Sequence, residues 1–283
     1  MLEIKNLNLN SKKEINSKLI VDPITNNCDY NVSFKLHDSI VGIYCQDREV
    51  VKKFLKYVAG INKTSSVYFD NKPVFNNPNY FKNRIYLDFS NNYLSTLNVE
   101  DIYINILESF SKTIDKDKFK KISKDLDIRG DAIIEKSYIF NPQGNTSLNF
   151  CLLSSLNYPI AIINNPTINV NNIKIINYMA NYYKHNYRYL IFGLNNLYTL
   201  NNILDYIIIF DDFNNTRILS SSDEVIVCDY YEDDLLYTFK MFKSQDHKRL
   251  ILFNGLTKDD YKLLKQRKLS YYKIRLDEVE RYL

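Results

Sequence analysis

The segment that decides the fold is Ile160–Thr167, which reads Ile-Ala-Ile-Ile-Asn-Asn-Pro-Thr. Its four consecutive apolar residues predict a β-strand that is buried on both faces, because a strand with one face in water alternates apolar and polar residues. Two amides, Asn164 and Asn165, follow the apolar run. Because an amide carries no charge, this pair cannot hold a metal ion or polarise a water molecule as two carboxylates would.

Strand and helix patterns alternate on both sides of this segment. Further buried strands are predicted at Ser39–Tyr44, Arg84–Leu87, Tyr189–Phe192 and Tyr206–Phe210, and helices at Arg48–Ala59 and Asn172–Tyr187. Residues 98–150 are predicted to be mostly helical, with a strongly amphipathic stretch at Lys116–Leu126. Uninterrupted apolar strands between helices indicate an α/β sheet that is covered on both faces.

The pattern restarts near Asp223, after the serine run at 220–222. It predicts a small α+β appendage with strands at Glu224–Cys228, Arg249–Asn254 and Tyr271–Ile274 and helices at Asp233–Lys243 and Lys258–Arg267. We therefore expect two units, a core over residues 1–220 and an extension over residues 223–283.

The composition excludes several classes of protein. The 37 basic and 33 acidic residues give a net charge of +4, which is too balanced to indicate a nucleic-acid-binding protein. The four cysteines form no C-x-x-C pair and the three histidines lie far from them in sequence, so neither a zinc site nor a disulfide framework is expected. The N-terminus has no signal-peptide core and no apolar run reaches about 18 residues, so we expect a cytoplasmic protein.

The order of these elements, together with Asn165-Pro166-Thr167, resembles the nucleotide-binding subunit of an ATP-binding cassette (ABC) transporter. The matching segments are Met1–Leu7 for the first strand of that family, Ile40–Gly42 and Ala59-Gly60 for the flanks of its phosphate loop, and Leu97–Glu100 for the start of its helical subdomain. The resemblance implies an ABC-type, phosphate-loop NTPase-like α/β core over residues 1–220, with a helical subdomain at residues 96–150. The small C-terminal appendage suits the extensions that some such subunits carry.

The family's phosphate loop, G-x-x-G-x-G-K-[ST], aligns with residues that do not suit a polyphosphate. Its three glycines fall on Cys45, Arg48 and Val50, its lysine on Val51, and its Ser/Thr pair on Lys52 and Lys53. Glycines let several backbone N–H groups point at the phosphates, and side chains at those positions block that approach. Asp47 and Glu49 would also repel a polyphosphate at close range. We therefore expect an ordinary capped helix that follows a strand, and no phosphate binding.

The other functional positions of the family are replaced as well. Its two acids, of which one holds Mg²⁺ and one polarises the attacking water, fall on Asn164 and Asn165. Its signature loop falls on 141–145, with Pro142 in place of the serine and Gly144 as a surviving glycine. Its switch histidine falls on Asn195. Its Gln loop falls on Asp88 and Phe89. Every residue that is kept folds the domain, and every residue that is lost touches nucleotide or metal.

The resemblance therefore implies a cassette that has lost its catalytic residues, is not an enzyme, and binds neither ATP nor Mg²⁺. Its expected role is a scaffold in a transporter complex, bound to a membrane subunit, an active ATP-binding subunit, or both, and reaching the inner face of the membrane only through that partner. Asp88 and Phe89 are the expected partner contacts, because an apolar side chain in place of a glutamine suits such a surface. Two alternatives stay open, namely a free-standing cytosolic regulatory protein on this fold and a weak ATPase.

Overall fold

The computed structural model describes residues 1–12, 27–37, 39–45, 47–88, 116–125, 158–164, 177, 180–181, 183–185, 189–194, 203–210, 216–220, 223–229, 242–243, 249–252, 258–268 and 270–275. The strands in these residues are β1 Leu2–Lys12, β2 Asn27–Leu36, β3 Ile40–Cys45, β4 Val67–Phe69, β5 Lys72–Pro73, β6 Arg84–Asp88, β7 Ile160–Asn164, β8 Tyr189–Leu194, β9 Tyr206–Phe210, β10 Thr216–Ser220, β11 Glu224–Asp229, β12 Phe242–Lys243, β13 Arg249–Leu252 and β14 Tyr271–Arg275. The helices are α1 Arg48–Val58, α2 Pro78–Asn83, α3 Lys116–Asp125 and α4 Lys258–Gln266, with a 3₁₀ turn at Val74–Asn76.

Six strands form the central sheet in the order β10-β9-β3-β8-β7-β6. The strands from β9 to β6 pair in parallel, and β10 joins the edge antiparallel to β9. Every residue of β3, β7 and β8 is buried, as expected for parallel strands with both faces covered. The five strands that the sequence predicts in this sheet are confirmed, with ends that differ by at most two residues, whereas the edge strand β10 was not predicted.

Helix α1 lies between the central sheet and a second, antiparallel sheet. Its apolar stripe is buried, and the ring of Phe54 lies 6.1 Å from the ring of Phe34 on β2 and 5.3 Å from that of Phe210 on β9. The helix ends at Val58, one residue before the predicted end. Gly60 then adopts φ = +70°, a left-handed conformation that favours glycine and ends a helix.

The second sheet has the order β2-β1-β4-β5, and the sequence analysis predicted only part of β1. β1 and β2 form a long antiparallel pair that runs from Leu2↔Leu36 to Lys12↔Asn27, with a register shift between Ile4 and Leu7. The inward side chains of both strands join the core around α1. This sheet gives the helix a second apolar surface to pack against.

The C-terminal residues form a separate antiparallel sheet in the order β12-β13-β11-β14. The predicted strands β11, β13 and β14 and the helix α4 are confirmed within two residues. The predicted helix Asp233–Lys243 is wrong at its end, because Phe242 and Lys243 form β12 and pair with Ile251 and Leu250. Residues 230–241 lie outside the described residues, and the boundary between units at 220–223 stays a prediction.

The predicted helical subdomain is described only at α3, which matches the predicted amphipathic stretch to within one residue. The described residues between 177 and 185 are helical, as predicted for Asn172–Tyr187. Within the described part of the chain, no helix combines the length and apolar character that a membrane span requires.

Candidate functional site

The carboxyl ends of the parallel strands meet at one edge of the central sheet, which is where open α/β sheets bind ligands. The predicted positions Cys45 to Lys53, Asp88 at the end of β6 and Asn164 at the end of β7 lie at this edge. The other predicted positions, Phe89, Pro142, Gly144, Asn165 and Asn195, lie outside the described residues.

The connection from β3 to α1 is a short capped turn. β3 ends at Cys45 and α1 begins at Arg48, so the positions matched to the second and third loop glycines, Arg48 and Val50, are already helical. Asp47 is the N-cap, and its carboxylate Oδ1 accepts a hydrogen bond from the backbone N–H of Glu49 at 3.0 Å. The chain's own carboxylate therefore satisfies a donor that a phosphate loop would offer to its ligand.

The residues at the positions matched to the last loop glycine and the phosphate-binding lysine belong to the core. Val50 and Val51 are 1% and 3% exposed. Val51 and Leu55 pack against β8 at Gly193, where an added Cβ would lie 3.0 Å from Cγ1 of Val51 and 2.7 Å from Cδ1 of Leu55. Gly193 therefore sets how closely α1 approaches the sheet. The sequence analysis missed this role, although a single glycine inside an apolar strand is a signal of close approach.

The position matched to the first loop glycine holds a buried thiol. Cys45 is 4% exposed, and its Sγ lies 3.8 Å from the hydroxyl oxygen of Tyr30 on β2. Within the described residues, neither Cys45 nor Cys228 forms a disulfide bond. A side chain at position 45 therefore links the central sheet to the second sheet instead of leaving room for a ligand.

Lys52, Asp88 and Asn164 converge from three elements. The Lys52 Nζ lies 3.6 Å from the Asp88 Oδ2, and the Asn164 Nδ2 donates a hydrogen bond to the Asp88 Oδ1 at 3.1 Å. Asp88 and Asn164 are register partners at the ends of adjacent parallel strands, which places their side chains side by side. We call this group the Lys–Asp–Asn cluster.

The cluster lies at the border between the interior and water. The side chain of Asp88 is 6% exposed and Asn164 is 6% exposed, whereas the Lys52 side chain is 31% exposed. A buried carboxylate is costly unless it is paired and hydrogen-bonded, and Lys52 supplies the charge while Asn164 supplies a donor. The carboxylate of the predicted partner contact Asp88 thus points inward, and its role toward a partner stays a prediction.

Tyr86 precedes this cluster by two residues on β6. Its hydroxyl is buried and has no hydrogen-bond partner within the described structure. Burial, and secondarily the negative charge of Asp88, raise the pKa of the Tyr86 hydroxyl well above its ordinary value. The Tyr86 hydroxyl is therefore protonated and uncharged at physiological pH, and it adds no negative charge near the Asp88 carboxylate.

The cluster does not suit Mg²⁺. Magnesium requires near-octahedral oxygen ligands, and here one carboxylate is already paired with an ammonium group while the facing amide presents its N–H. Among the residues that the structure describes, no group of three or more His, Cys, Asp and Glu side chains is placed to hold a metal ion. The arrangement can hold α1, β6 and β7 together electrostatically.

Comparisons with known proteins identify the fold. No family model matches the chain, and no curated protein is similar to it in sequence. Among solved structures, the ATP-binding cassette MJ0796 in a dimeric post-hydrolysis state with ADP and Pi is 14% identical, with a TM-score of 0.60 over 78% of this chain and 99% of that chain. An ATP-binding subunit of an ABC transporter is 13% identical, with a TM-score of 0.56 over 94% of this chain and 99% of that chain.

A third similar structure is cbiO1 from Clostridium perfringens, a part of the ABC transporter complex cbiONQ. It is 11% identical, with a TM-score of 0.55 over 78% of this chain and 88% of that chain. At these identities the similarity shows the fold alone. The chain has the α/β fold of an ABC cassette, which confirms the fold that the sequence analysis predicted.

Proposed function

We propose that this chain, whose fold is that of an ABC ATP-binding cassette, is a non-catalytic subunit of a transporter complex in which it holds a membrane subunit, an active cassette, or both. The observation that carries the proposal is the turn from β3 to α1. Arg48 and Val50 are helical where a phosphate loop would need glycines, and Asp47 caps the helix with a carboxylate. This geometry opposes ATP binding by shape and by charge.

Several independent changes act against catalysis in the same direction. The position of the phosphate-binding lysine is the buried Val51, and the position of the metal-binding acid is the neutral Asn164. Interactions that stabilise charge in a phosphoryl-transfer transition state contribute about 3–4 kcal/mol each. The loss of both therefore lowers any residual turnover by several orders of magnitude.

The first test is nucleotide binding. We expect the purified chain to show no heat of binding and no rise in melting temperature with millimolar ATP and Mg²⁺, because only a ligand that binds the native state stabilises it. The cassette MJ0796, whose structure holds ADP and Pi, is the positive control. Micromolar ATP affinity, or turnover that disappears in Lys52→Ala or Lys53→Ala, would refute the non-catalytic proposal in favour of a weak ATPase.

The second test is partnership. The similar protein cbiO1 is part of a transporter complex, and by analogy we propose that this chain reaches the cytoplasmic face of a membrane through a partner. Tagged chain from detergent extracts of its native host should co-purify an ABC membrane subunit or a second cassette. Phe89→Asp should weaken the capture, whereas Phe81→Asp, a matched change at an exposed phenylalanine of α2, should not. A chain that always elutes alone would favour the free-standing regulatory protein.

A further inference from the structure

We propose that Lys52 is a built-in cation that stands in for a metal ion, so that the Lys–Asp–Asn cluster holds its shape without any divalent cation. This inference rests on the proposed non-catalytic function and explains how the cluster is stable without a bound metal ion or ligand. It predicts that a variant that lacks Lys52 and carries an acid at position 164 would bind a divalent cation.

The identity of the three residues carries the proposal. In phosphate-loop NTPases the Ser/Thr that follows the loop lysine binds Mg²⁺, and an aspartate after a neighbouring strand holds the same ion. Lys52 occupies the first of these positions, Asn164 the second, and Asp88 the position of the metal-contacting glutamine. Asp88 contacts both of the other two residues, with its Oδ2 at 3.6 Å from the Lys52 Nζ and its Oδ1 at 3.1 Å from the Asn164 Nδ2.

The charges of the replacements compensate one another. An ammonium group of charge +1 balances the single carboxylate of Asp88, whereas a divalent ion would leave excess positive charge unless a second acid were present. The position that would supply this second acid is the neutral Asn164, which donates to Asp88 instead of binding a cation. A lysine at position 52 and an uncharged amide at position 164 therefore together match the single negative charge of Asp88.

The placement of Lys52 also allows this match of charges. With 31% of its side chain exposed, Lys52 keeps contact with water while its ammonium group reaches Asp88. Shortening this side chain would remove the Lys52 ammonium group from the Asp88 carboxylate.

The decisive experiment compares two double variants of equal charge, Lys52→Ser/Asn164→Asp and Lys56→Ser/Asn164→Asp. Both carry an acid at position 164 and lack one lysine of α1, but only the first lacks the lysine at the cluster. Binding of Mn²⁺, without nucleotide, is measured by electron paramagnetic resonance. We expect the first variant to bind Mn²⁺ at least about tenfold more tightly than the second, and the wild type to show no specific binding.

Equal Mn²⁺ affinity in the two double variants would overturn the proposal. If the first double variant does not fold, the same comparison is made with Lys52→Gln/Asn164→Asp and Lys56→Gln/Asn164→Asp, in which a side chain of similar length replaces the lysine, and it is followed by thermal unfolding. Addition of 10 mM MgCl₂ should then raise the melting temperature of the Lys52 variant by about 2–4 °C and leave that of the Lys56 variant unchanged. No difference between these shifts would also refute it.

These results separate the two proposals. Wild-type chain that binds ATP and Mg²⁺ tightly would refute the non-catalytic function. Wild-type chain that binds neither, together with a Lys52→Ser/Asn164→Asp variant that gains no metal affinity over its control, would refute only the built-in cation.

Discussion

The ion pair between Lys52 and Asp88 should couple the two residues energetically, and a double-mutant cycle with Lys52→Met and Asp88→Asn measures this coupling. The charged atoms lie 3.6 Å apart. Two unit charges at that distance attract by about 5 kcal/mol at an effective dielectric constant of 20 and by about 1 kcal/mol in bulk water. The partial exposure of Lys52 places the pair nearer the lower value, so we expect a coupling of about 1–2 kcal/mol.

The two single variants should differ in cost. Lys52→Met leaves a carboxylate that is 6% exposed without its cation, and we expect a loss of about 2–3 kcal/mol in the free energy of unfolding. Asp88→Asn leaves an ammonium group that can turn toward water, and we expect a loss of about 1–2 kcal/mol. The substitution that leaves the buried charge unpaired should therefore cause the larger loss in the free energy of unfolding.

The assay is urea unfolding at neutral pH and low ionic strength. The free energies of unfolding of the four chains of the cycle are obtained with one common m-value, the slope of the unfolding free energy against urea concentration. Lys56→Met, combined with the same change at Asp88, is the control cycle on the next turn of α1, and its coupling should be close to zero. A coupling below about 0.3 kcal/mol in the Lys52 cycle, or a costlier Asp88→Asn than Lys52→Met, would contradict this reasoning.

Three further changes test the frame around the cluster. Asp47→Ala should destabilise the chain by about 1 kcal/mol by removing the cap of α1, whereas Asp47→Asn, which can still accept from the N–H of Glu49, should cost less in urea unfolding. Gly193→Ala should cost about 1–3 kcal/mol, because the new Cβ would lie 2.7 Å from Leu55; a calorimetric melting temperature equal to that of the wild type would contradict the close approach. Burial raises the pKa of the Tyr80 and Tyr86 hydroxyls, so the unfolded chain ionises first as the pH rises above about 10, and stability should fall there. Following unfolding by tyrosinate absorbance should show a smaller alkaline loss in Tyr86→Phe.

The central sheet is predictable from the sequence because burial on both faces leaves continuous apolar runs. Ile160–Ile163 and Tyr206–Phe210 are such runs, and each lies in a strand of the sheet. The second sheet is harder to predict, although β2 carries a period-two signal in Tyr30, Val32 and Phe34, which are buried between exposed neighbours. A weak alternating pattern becomes a strand only when a partner such as β1 satisfies its backbone, and the sequence does not show that pairing.

Some features of the candidate site can be predicted from the sequence and others cannot. The replacements at Cys45, Val51 and Asn164 can be found by alignment with a motif, because each is a local question of which residue stands at one position. The pairing of Lys52 with Asp88 cannot be found in that manner, because the two residues are brought together by the sheet order and by the approach of α1 to Gly193. Contacts between distant segments depend on topology, which local patterns do not encode.

The side chains at this edge of the sheet have structural roles of their own. Asp47 caps α1, Val51 packs on β8, and Lys52 neutralises a carboxylate that Asn164 also binds. A buried polar group without a partner costs about 1–3 kcal/mol, and the Tyr86 hydroxyl beside the cluster is such a group within the described residues. The Asp88 carboxylate is instead paired on both of its oxygens. Such a cluster contributes stability without a ligand.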